Sequence, residues 1–236
     1  MSTKVFLTCI TCESRKKSAL SDIPDNLLEE LNKAKIVNTY KRGQTIFYEG
    51  NKPYGVYCMN SGKVKLSKHA PEGKNFIVRI AKSGDLLGYR SFFTSELYTA
   101  TAEVLEDASI CFLDRERFFE LIKKNPAFSL KLLSLMGHDI KCAEDMSRNL
   151  AYKSSQERIV EMLLTLKETY GIENQDGTYK LDILLSREEL ASMIGTTTET
   201  TVRLLTWLRD KNIISLKGKY ITIKDLKVLG NLIIDY

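Results

Sequence analysis

The sequence predicts an α+β protein: an N-terminal all-β barrel or sandwich domain, a long helix suited to dimerisation, and a C-terminal winged helix-turn-helix. Three observations lead there. Gly43, Gly50, Gly55, Gly62, Gly73, Gly84 and Gly88, seven of the thirteen glycines, fall in one stretch rich in Val, Ile, Tyr and Phe, the turn punctuation of an all-β barrel. From Ala127 to about Tyr152 only Gly137 interrupts a helical pattern free of proline. Beyond Lys153, three hydroxyl-x-x-Glu sequences mark helix starts, and a hairpin centred on glycine follows them.

In chain order, a short helix is expected from Pro24 to about Ala34. Strands are expected at Gln44–Tyr48, Gly55–Met59, Lys63–Ser67, Phe76–Ile80, Thr99–Val104 and Ser109–Leu113, several alternating apolar and polar residues as half-buried strands do. Arg115–Lys124 reads as a helix closed by Asn125-Pro126, because proline disfavours helix in the residue before it. On the long helix, Leu133, Met136, Ile140, Ala143, Ser147 and Leu150 recur at alternating three- and four-residue steps. That is an a/d seam fit to pair with a second copy; the plainer alternative is a helix packed on its own domain. Ser154-x-x-Glu157, Ser186-x-x-Glu189 and Thr196-x-x-Glu199 are expected capping boxes for helices at about 154–170, 187–194 and 197–210. Gly195 sits at the turn between the last two, where a residue without a β-carbon suits a tight turn. Ile213–Leu216 and Lys219–Ile223, joined at Gly218, form the hairpin.

Composition narrows the function. The 236 residues are 43% apolar and 28% charged, with 35 Lys+Arg against 30 Asp+Glu, so a core forms and a polyanion partner is permitted. Mean hydropathy is −0.20, and the apolar runs are too short to span a bilayer. The N-terminal residues Met1–Cys9 lack the apolar stretch of a signal peptide, which points to the cytoplasm and to no membrane. Five dispersed cysteines, an odd number, argue against a disulfide framework. Two histidines, His69 and His138, are too few for a cupin-type metal centre, so the chain is not expected to be an enzyme.

The last helix-turn-helix is where the polar residues gather. Glu199 and Arg203, four apart, share a helix face, with Thr198 and Val202 beside them. Leu204, Leu205 and Leu208 form the opposite stripe. An arginine forks to guanine and a carboxylate accepts from cytosine; a Glu199–Arg203 salt bridge is expected to hold both ready. Glu199 as a simple helix cap and Arg203 as its surface partner is the alternative. Hydroxyls at 196, 197, 198, 200 and 201 can meet phosphate at a helix N-terminus. Between Gly195 and Lys224 six cations face two carboxylates, whereas Ala151–Tyr236 as a whole carries twelve of each sign. Positive charge is thus concentrated where backbone binding needs it.

Leu185–Leu205 followed by Lys217-Gly-Lys-Tyr-Ile-Thr-Ile223 resembles the winged-helix domain of the CRP/FNR family. Upstream, Lys41-Arg-Gly-Gln-Thr-Ile-Phe-Tyr-Glu-Gly50 and Ser83-Gly-Asp-Leu-Leu-Gly88 look like that family's cyclic-nucleotide-binding β-roll, which implies a double-stranded β-helix (jelly-roll) for the N-terminal domain. The resemblance implies a transcription regulator: a homodimer held through Leu133, Met136, Ile140, Ala143 and Leu150, bound to double-stranded DNA at a near-palindromic operator. RNA polymerase would be a further partner if it activates. By the same resemblance Glu199 and Arg203 match the base-reading pair. Thr198 and Val202 match specificity positions, and Arg187, Thr197 and Thr200 match phosphate contacts; Lys217 and Lys219 lie on the wing. The implied division is an N-terminal extension at 1–20, a sensor barrel at 21–125, a dimerisation helix at 126–152 and a DNA-binding domain at 153–236.

The effector pocket implied by the resemblance comprises Gly84, Asp85, Leu86, Leu87, Gly88, Tyr89, Arg90, Thr99 and Ala100. Cyclic-AMP-binding members carry a glutamate after the Gly-x-x-Gly run and an Arg-Ser pair farther on. This chain has Tyr89 and Thr99-Ala100 there, so cyclic AMP is not expected. An unidentified small-molecule effector, or a pocket filled by Phe92, Phe93 and Tyr98, is expected instead. No cofactor is expected; the alternative is a redox or iron–sulfur sensor using Cys9, Cys12 and Cys111, with Arg15, Lys16 and Lys17 lowering a thiol pKa. The oxygen-sensing branch has a third cysteine where this chain has Ser18. A four-thiolate cluster would need Cys58, which reads as a strand residue, and a flexible tail with two incidental thiols is the plainer expectation. A ligand-binding module without DNA activity is the remaining alternative.

Overall fold

The computed structural model describes residues 8–69, 75–94 and 96–233. The leader reading at residues 1–7, the turn at Gly73 and the end of the 153–236 domain at 234–236 lie outside the described residues. The chain divides into two compact units, and the division falls between Lys141 and Cys142, inside the long helix rather than at its ends.

The first unit opens with α1 (Glu13–Lys16) and α2 (Asp25–Ala34), followed by β1 (Ile36–Tyr40), β2 (Thr45–Phe47), β3 (Gly55–His69), β4 (Asn75–Ala81) and β5 (Leu86–Leu87). It continues with α3 (Tyr89–Thr94), β6 (Thr101–Asp114) and α4 (Arg115–Lys124) into α5 (Pro126–Tyr152). The strands form an antiparallel jelly-roll sheet of order β1-β6-β3-β4, with β2 on β6 and β5 on β3. Four of the expected strands merge into two. Gly55–Met59 and Lys63–Ser67 are halves of β3, and Thr99–Val104 and Ser109–Leu113 become β6, whose partners run from Gly55↔Asp114 to Ser67↔Thr101.

Gly62 explains the merger: it sits at φ +87° between register shifts, so the turn signal is a bulge that bends one strand. A β-carbon there would lie 2.6 Å from both Ala108 Cα and the Asp107 carbonyl oxygen. Gly62→Ala is therefore expected to destabilise the barrel by about 2–4 kcal/mol, from the positive φ and the overpacking together. Urea unfolding of the two proteins checks it, and an unchanged midpoint would show that the bend is not required.

Two apolar clusters hold this unit. Inside the sheet, Phe47, Met59, Val64, Leu87, Tyr98, Val104 and Ile110 pack together. Beneath the helices, Leu28, Val56, Tyr89, Phe92, Phe118, Phe128 and Leu132 form the other cluster, joined by Cys9 and Leu20. Leu20 and Cys9, partly buried, thus pack against the core, so residues 8–20 are not a free extension. Helix α4 begins on Asp114, whose carboxylate accepts from the Arg117 amide, and ends at Asn125 as expected.

The second unit contains α6 (Ser155–Tyr170), β7 (Gly171–Glu173), β8 (Tyr179–Leu181), α7 (Arg187–Ile194), α8 (Thr198–Asp210), β9 (Ile214–Lys217), β10 (Tyr220–Ile223) and α9 (Leu226–Gly230). Its sheet runs β7-β8-β10-β9. Capping boxes open α6 at Ser154/Glu157 and α7 at Ser186/Glu189. The third expected box is corrected: the cap of α8 is Thr197, whose side chain accepts from the Thr200 amide. Shifting the start by one residue places Glu199 in the first turn but outside the cap. Among the described residues no helix is long and apolar enough to cross a membrane.

Candidate functional site

Two helices and a hairpin build the polar face of the second unit. Helix α7 stops at Gly195, which adopts φ 62°, ψ 50° and donates its amide to the Ala191 carbonyl, a left-handed cap that only glycine takes without cost. The turn is fixed from below by Arg158 of α6. Its guanidinium donates to the Ile194 carbonyl at 2.7 Å and the Lys153 carbonyl at 2.7 Å. Nothing in the sequence singles out Arg158, because its partners are backbone oxygens distant along the chain.

Helix α8 then divides sharply. Thr201, Leu205 and Leu208 are buried, and Thr201 Oγ1 donates to the Thr197 carbonyl at 3.1 Å. Thr201 is therefore withdrawn from any phosphate. Thr197 and Thr200 bond to each other through their hydroxyls at 3.0 Å. Thr198, Glu199, Val202 and Arg203 are exposed on the first two turns. The expected Glu199–Arg203 salt bridge is corrected: among the described residues neither side chain has a partner. An exposed i,i+4 pair is worth only a few tenths of a kcal/mol, and the helix N-terminus already favours the Glu199 carboxylate.

The six cations expected at this face are not equivalent. Arg209 pairs with Asp210 at 2.8 Å, Lys224 donates to Asn212 Oδ1 at 2.7 Å, and Lys211 lies over the Trp207 ring at 5.5 Å. Arg203, Lys217 and Lys219 remain exposed without a partner among the described residues. The last two flank the turn of the wing, where Gly218 takes φ 61° and Tyr220 pairs with Lys217. Arg187, expected at a phosphate, donates instead to the Gly218 carbonyl at 3.1 Å, and burial lowers its pKa. It ties the start of α7 to the wing.

On α5, Leu133 is 63% and Ile140 60% exposed, and Leu150 is 40% exposed; Ala143 is exposed too. Met136 differs: it is half-buried against its own core. Leu130, missed in the heptad count, is 68% exposed and extends the apolar stripe.

In the barrel, the residues expected to line an effector pocket separate. Leu86, Leu87, Tyr89 and Ala100 are buried in the packing. Gly84 turns at φ +94°, close enough to α1 that a β-carbon would lie 3.1 Å from the Ser14 carbonyl oxygen; Gly88 also has positive φ. Asp85 pairs with Arg79 at 3.2 Å, and Thr99 is exposed. The Arg90 guanidinium lies 2.7 Å from Asp139 on α5. The Tyr89 hydroxyl donates to the same carboxylate, and burial and that carboxylate push its pKa up to about 12. Of the three aromatic fillers only Tyr98 enters the barrel, stacked on Phe47 at 4.0 Å. Phe92 belongs to the helical cluster and Phe93 is 39% exposed.

Cys9, Cys12, Cys58 and Cys111 line one cavity of about 40 Å³ beneath the N-terminal segment. The expected flexible tail is thus corrected for residues 8–20. Of the cations expected to act on the thiols, Lys16 pairs with Glu13 at 2.6 Å. Arg15 is held by the carbonyls of Cys9, Leu20 and Ser21 at 2.8, 3.1 and 2.8 Å. Burial pushes the Cys58 and Cys111 thiols up. Cys142 is exposed on α5.

Comparison with known proteins agrees with this layout. Residues 37–125 match the cyclic nucleotide-binding domain model and residues 157–232 the Crp-like helix-turn-helix domain model. The global nitrogen regulator of Nostoc sp. is 31% identical over 192 residues, covering 80% of this chain and 85% of that protein. The fumarate and nitrate reduction regulatory protein of Yersinia pestis is 28% identical over 192 residues, covering 81% of this chain and 76% of that protein. In fold, the chain is similar to FixK2 of Bradyrhizobium japonicum, with TM-score 0.75 at 23% identity, covering 86% of this chain and 98% of the other. A jelly-roll sheet, a long helix and a winged helix-turn-helix in this order, with relatives of that identity over most of their length, place the chain in the CRP/FNR family of DNA-binding transcription regulators.

Proposed function

We propose that the protein acts as a homodimer on a near-palindromic operator, with α8 of each copy reading one half-site. Half-sites one helical turn apart follow from presenting two such helices about a twofold axis. One observation carries this reading. Glu199, Val202 and Arg203 stand exposed at the start of α8 with no protein partner among the described residues, while the opposite face of the helix is buried. Arginine, carboxylate and hydroxyl side chains on the first turns of a helix whose other face is buried have the chemistry that reads base edges in the major groove. Thr198 and Val202 would tune base preference. Thr197, Thr200, Lys217 and Lys219 would meet the backbone, with Arg187 positioning the wing. Contact with RNA polymerase follows if the protein activates, and the working compartment is the cytoplasm.

The experiment is a salt titration of binding to a footprint-derived operator and to a scrambled duplex. Lys217→Ala and Lys219→Ala are each expected to weaken both complexes alike and to lower the salt slope by about one. A change of base preference in either variant would show that the wing reads sequence instead.

The barrel is read as a sensor for something other than cyclic AMP. That reading is supported by Tyr98, which stacks on Phe47 within the barrel core, and by Arg90, which is engaged by Asp139. A redox reading has its own support, because Cys9, Cys12 and Cys111 reach one cavity.

A further inference from the structure

Helices α5 and α6, joined at Lys153, border a groove of about 520 Å³ whose residues all fall between Cys142 and Ile233, within the second unit. Positions 142, 146 and 149 of α5 and 161, 165 and 168 of α6 line it. They recur at three-, four- and seven-residue steps, so each helix turns one face to the groove. One end is tied: Asn149 Nδ2 donates to Glu161 Oε2 at 2.9 Å, and Lys153 pairs with the same carboxylate. Three of the six methionines, Met146, Met162 and Met193, border the groove with Ile194 and Ile233. Unbranched thioether side chains reshape readily around an apolar guest, and the volume suits a small molecule.

The amide and charged groups of the groove leave acceptors unspent and cations occupied. Asn149 Oδ1 is buried without a hydrogen-bond partner among the described residues, a costly state for an acceptor. Glu168 is exposed at the rim and has no partner among the described residues. Of the two arginines at the groove, Arg148 pairs with Asp145 at 3.3 Å. Arg158 is committed to the Lys153 and Ile194 carbonyls. We propose that this groove binds a small amphipathic amine, its apolar body against the methionines and its ammonium donating to Asn149 Oδ1. Glu168 adds attraction for the cation from the rim. The site is separate from the barrel and from the exposed face of α8. It adjoins the turn that precedes α8, because Leu150 and Ile194 border the groove and a β-carbon at Gly195 would lie 2.7 Å from Leu150 Cδ2.

The test uses the full chain with isotope-labelled methionine methyl groups, titrated with phenylbutylamine and, for comparison, with phenylbutanol and phenylbutyrate. The Met146, Met162 and Met193 methyl signals should shift saturably with the amine, while Met59, inside the barrel core, stays put. The amine should bind at least about 10-fold more tightly than the carboxylate, with the alcohol between them. Asn149→Ala is expected to weaken the amine about 10-fold or more, the worth of a hydrogen bond to a charged donor. Glu168→Lys changes an exposed side chain, so the fold should tolerate it; it should weaken the amine several-fold and leave the alcohol unchanged. That variant decides even if Asn149→Ala folds poorly. Absence of saturable shifts, equal shifts at Met59, or a carboxylate that binds as tightly as the amine would overturn the proposal. So would a Glu168→Lys protein that binds the amine like the parent. Amine binding confined to Ile140→Glu, which breaks the proposed seam, would show that a second copy fills the groove instead.

Discussion

Arg203→Ala removes the operator's advantage over scrambled DNA while leaving most of the non-specific affinity in place. The expected loss is about 1–3 kcal/mol on the operator, roughly 5- to 150-fold, because a guanidinium forked to a guanine edge supplies that much discrimination. On scrambled DNA the variant loses one phosphate-attracting charge and little else. The side chain is exposed and has no partner within the protein among the described residues, so melting temperature should stay put and folding cannot be blamed. Arg203→Lys sharpens the result. It keeps the charge and discards the planar fork, so it should resemble the alanine variant in specificity and the parent in salt dependence. Competition binding across every single base-pair change in the site is the measurement. The lost preference should map to one position, repeated symmetrically in both half-sites. Equal losses on operator and scrambled duplex would reduce Arg203 to a backbone contact and leave the reading helix without its principal reader.

That face was legible because caps and turns are local. Ser186 and Glu189 lie within one helical turn, and Gly195 announces its left-handed bend by having no side chain. The same locality misled at Thr196. Three threonines in succession offer three candidate caps, and tertiary packing of Thr201, which is wholly buried, selects Thr197. In the barrel the glycine spacing pointed to β-structure but could not tell a turn from a bulge, so two long strands read as four short ones. That distinction depends on whether the chain on either side of Gly62 finds the same partner strand, a long-range fact. The opposition of Cys58 to Cys111 was invisible for the same reason, since register is fixed by pairing and not by either strand alone. Arg158 was not singled out, and the roles expected of Arg15 and Arg187 were other ones, because each donates to carbonyl oxygens, and every residue carries one.

Under the proposed function, the Asp139 carboxylate is where sensing and pairing would meet. Tyr89 and Arg90, from the segment that the family resemblance assigns to the effector pocket, both bind it. Arg79 of β4 lies 3.8 Å away. Asp139 sits one residue before Ile140 on α5, so in the proposed dimer a shift of α3 or β4 would bear on the helix that carries the exposed apolar stripe. Coupling by this route requires the stripe to be an interface, which makes its substitution the decisive measurement.

Ile140→Glu should convert the protein to monomers and cost operator binding about 10²–10⁴-fold, the advantage that tethering two half-site readers confers. The physical case rests on exposure. Ile140 is 60% and Leu133 63% exposed in the single chain, so a carboxylate at 140 meets water and the isolated fold should change by no more than about 0.5 kcal/mol. In a paired seam the same carboxylate would be buried near its own copy without a counter-charge, and that burial is prohibitive. A structural role and an interface role therefore predict opposite patterns. The first lowers stability and leaves the sedimentation mass of surviving protein unchanged. The second leaves secondary structure intact and halves the mass. Ser134→Glu, also on an exposed stretch of α5 but off the stripe, serves as the control and should remain paired. Half-site DNA separates the effects further: Ile140→Glu should bind an isolated half-site as the parent does, because α8 and the wing are untouched. An Ile140→Glu protein that still sediments as a dimer and holds the full operator would mean that α5 is not the pairing surface, and that Asp139 clamps a helix whose exposed stripe serves some other contact.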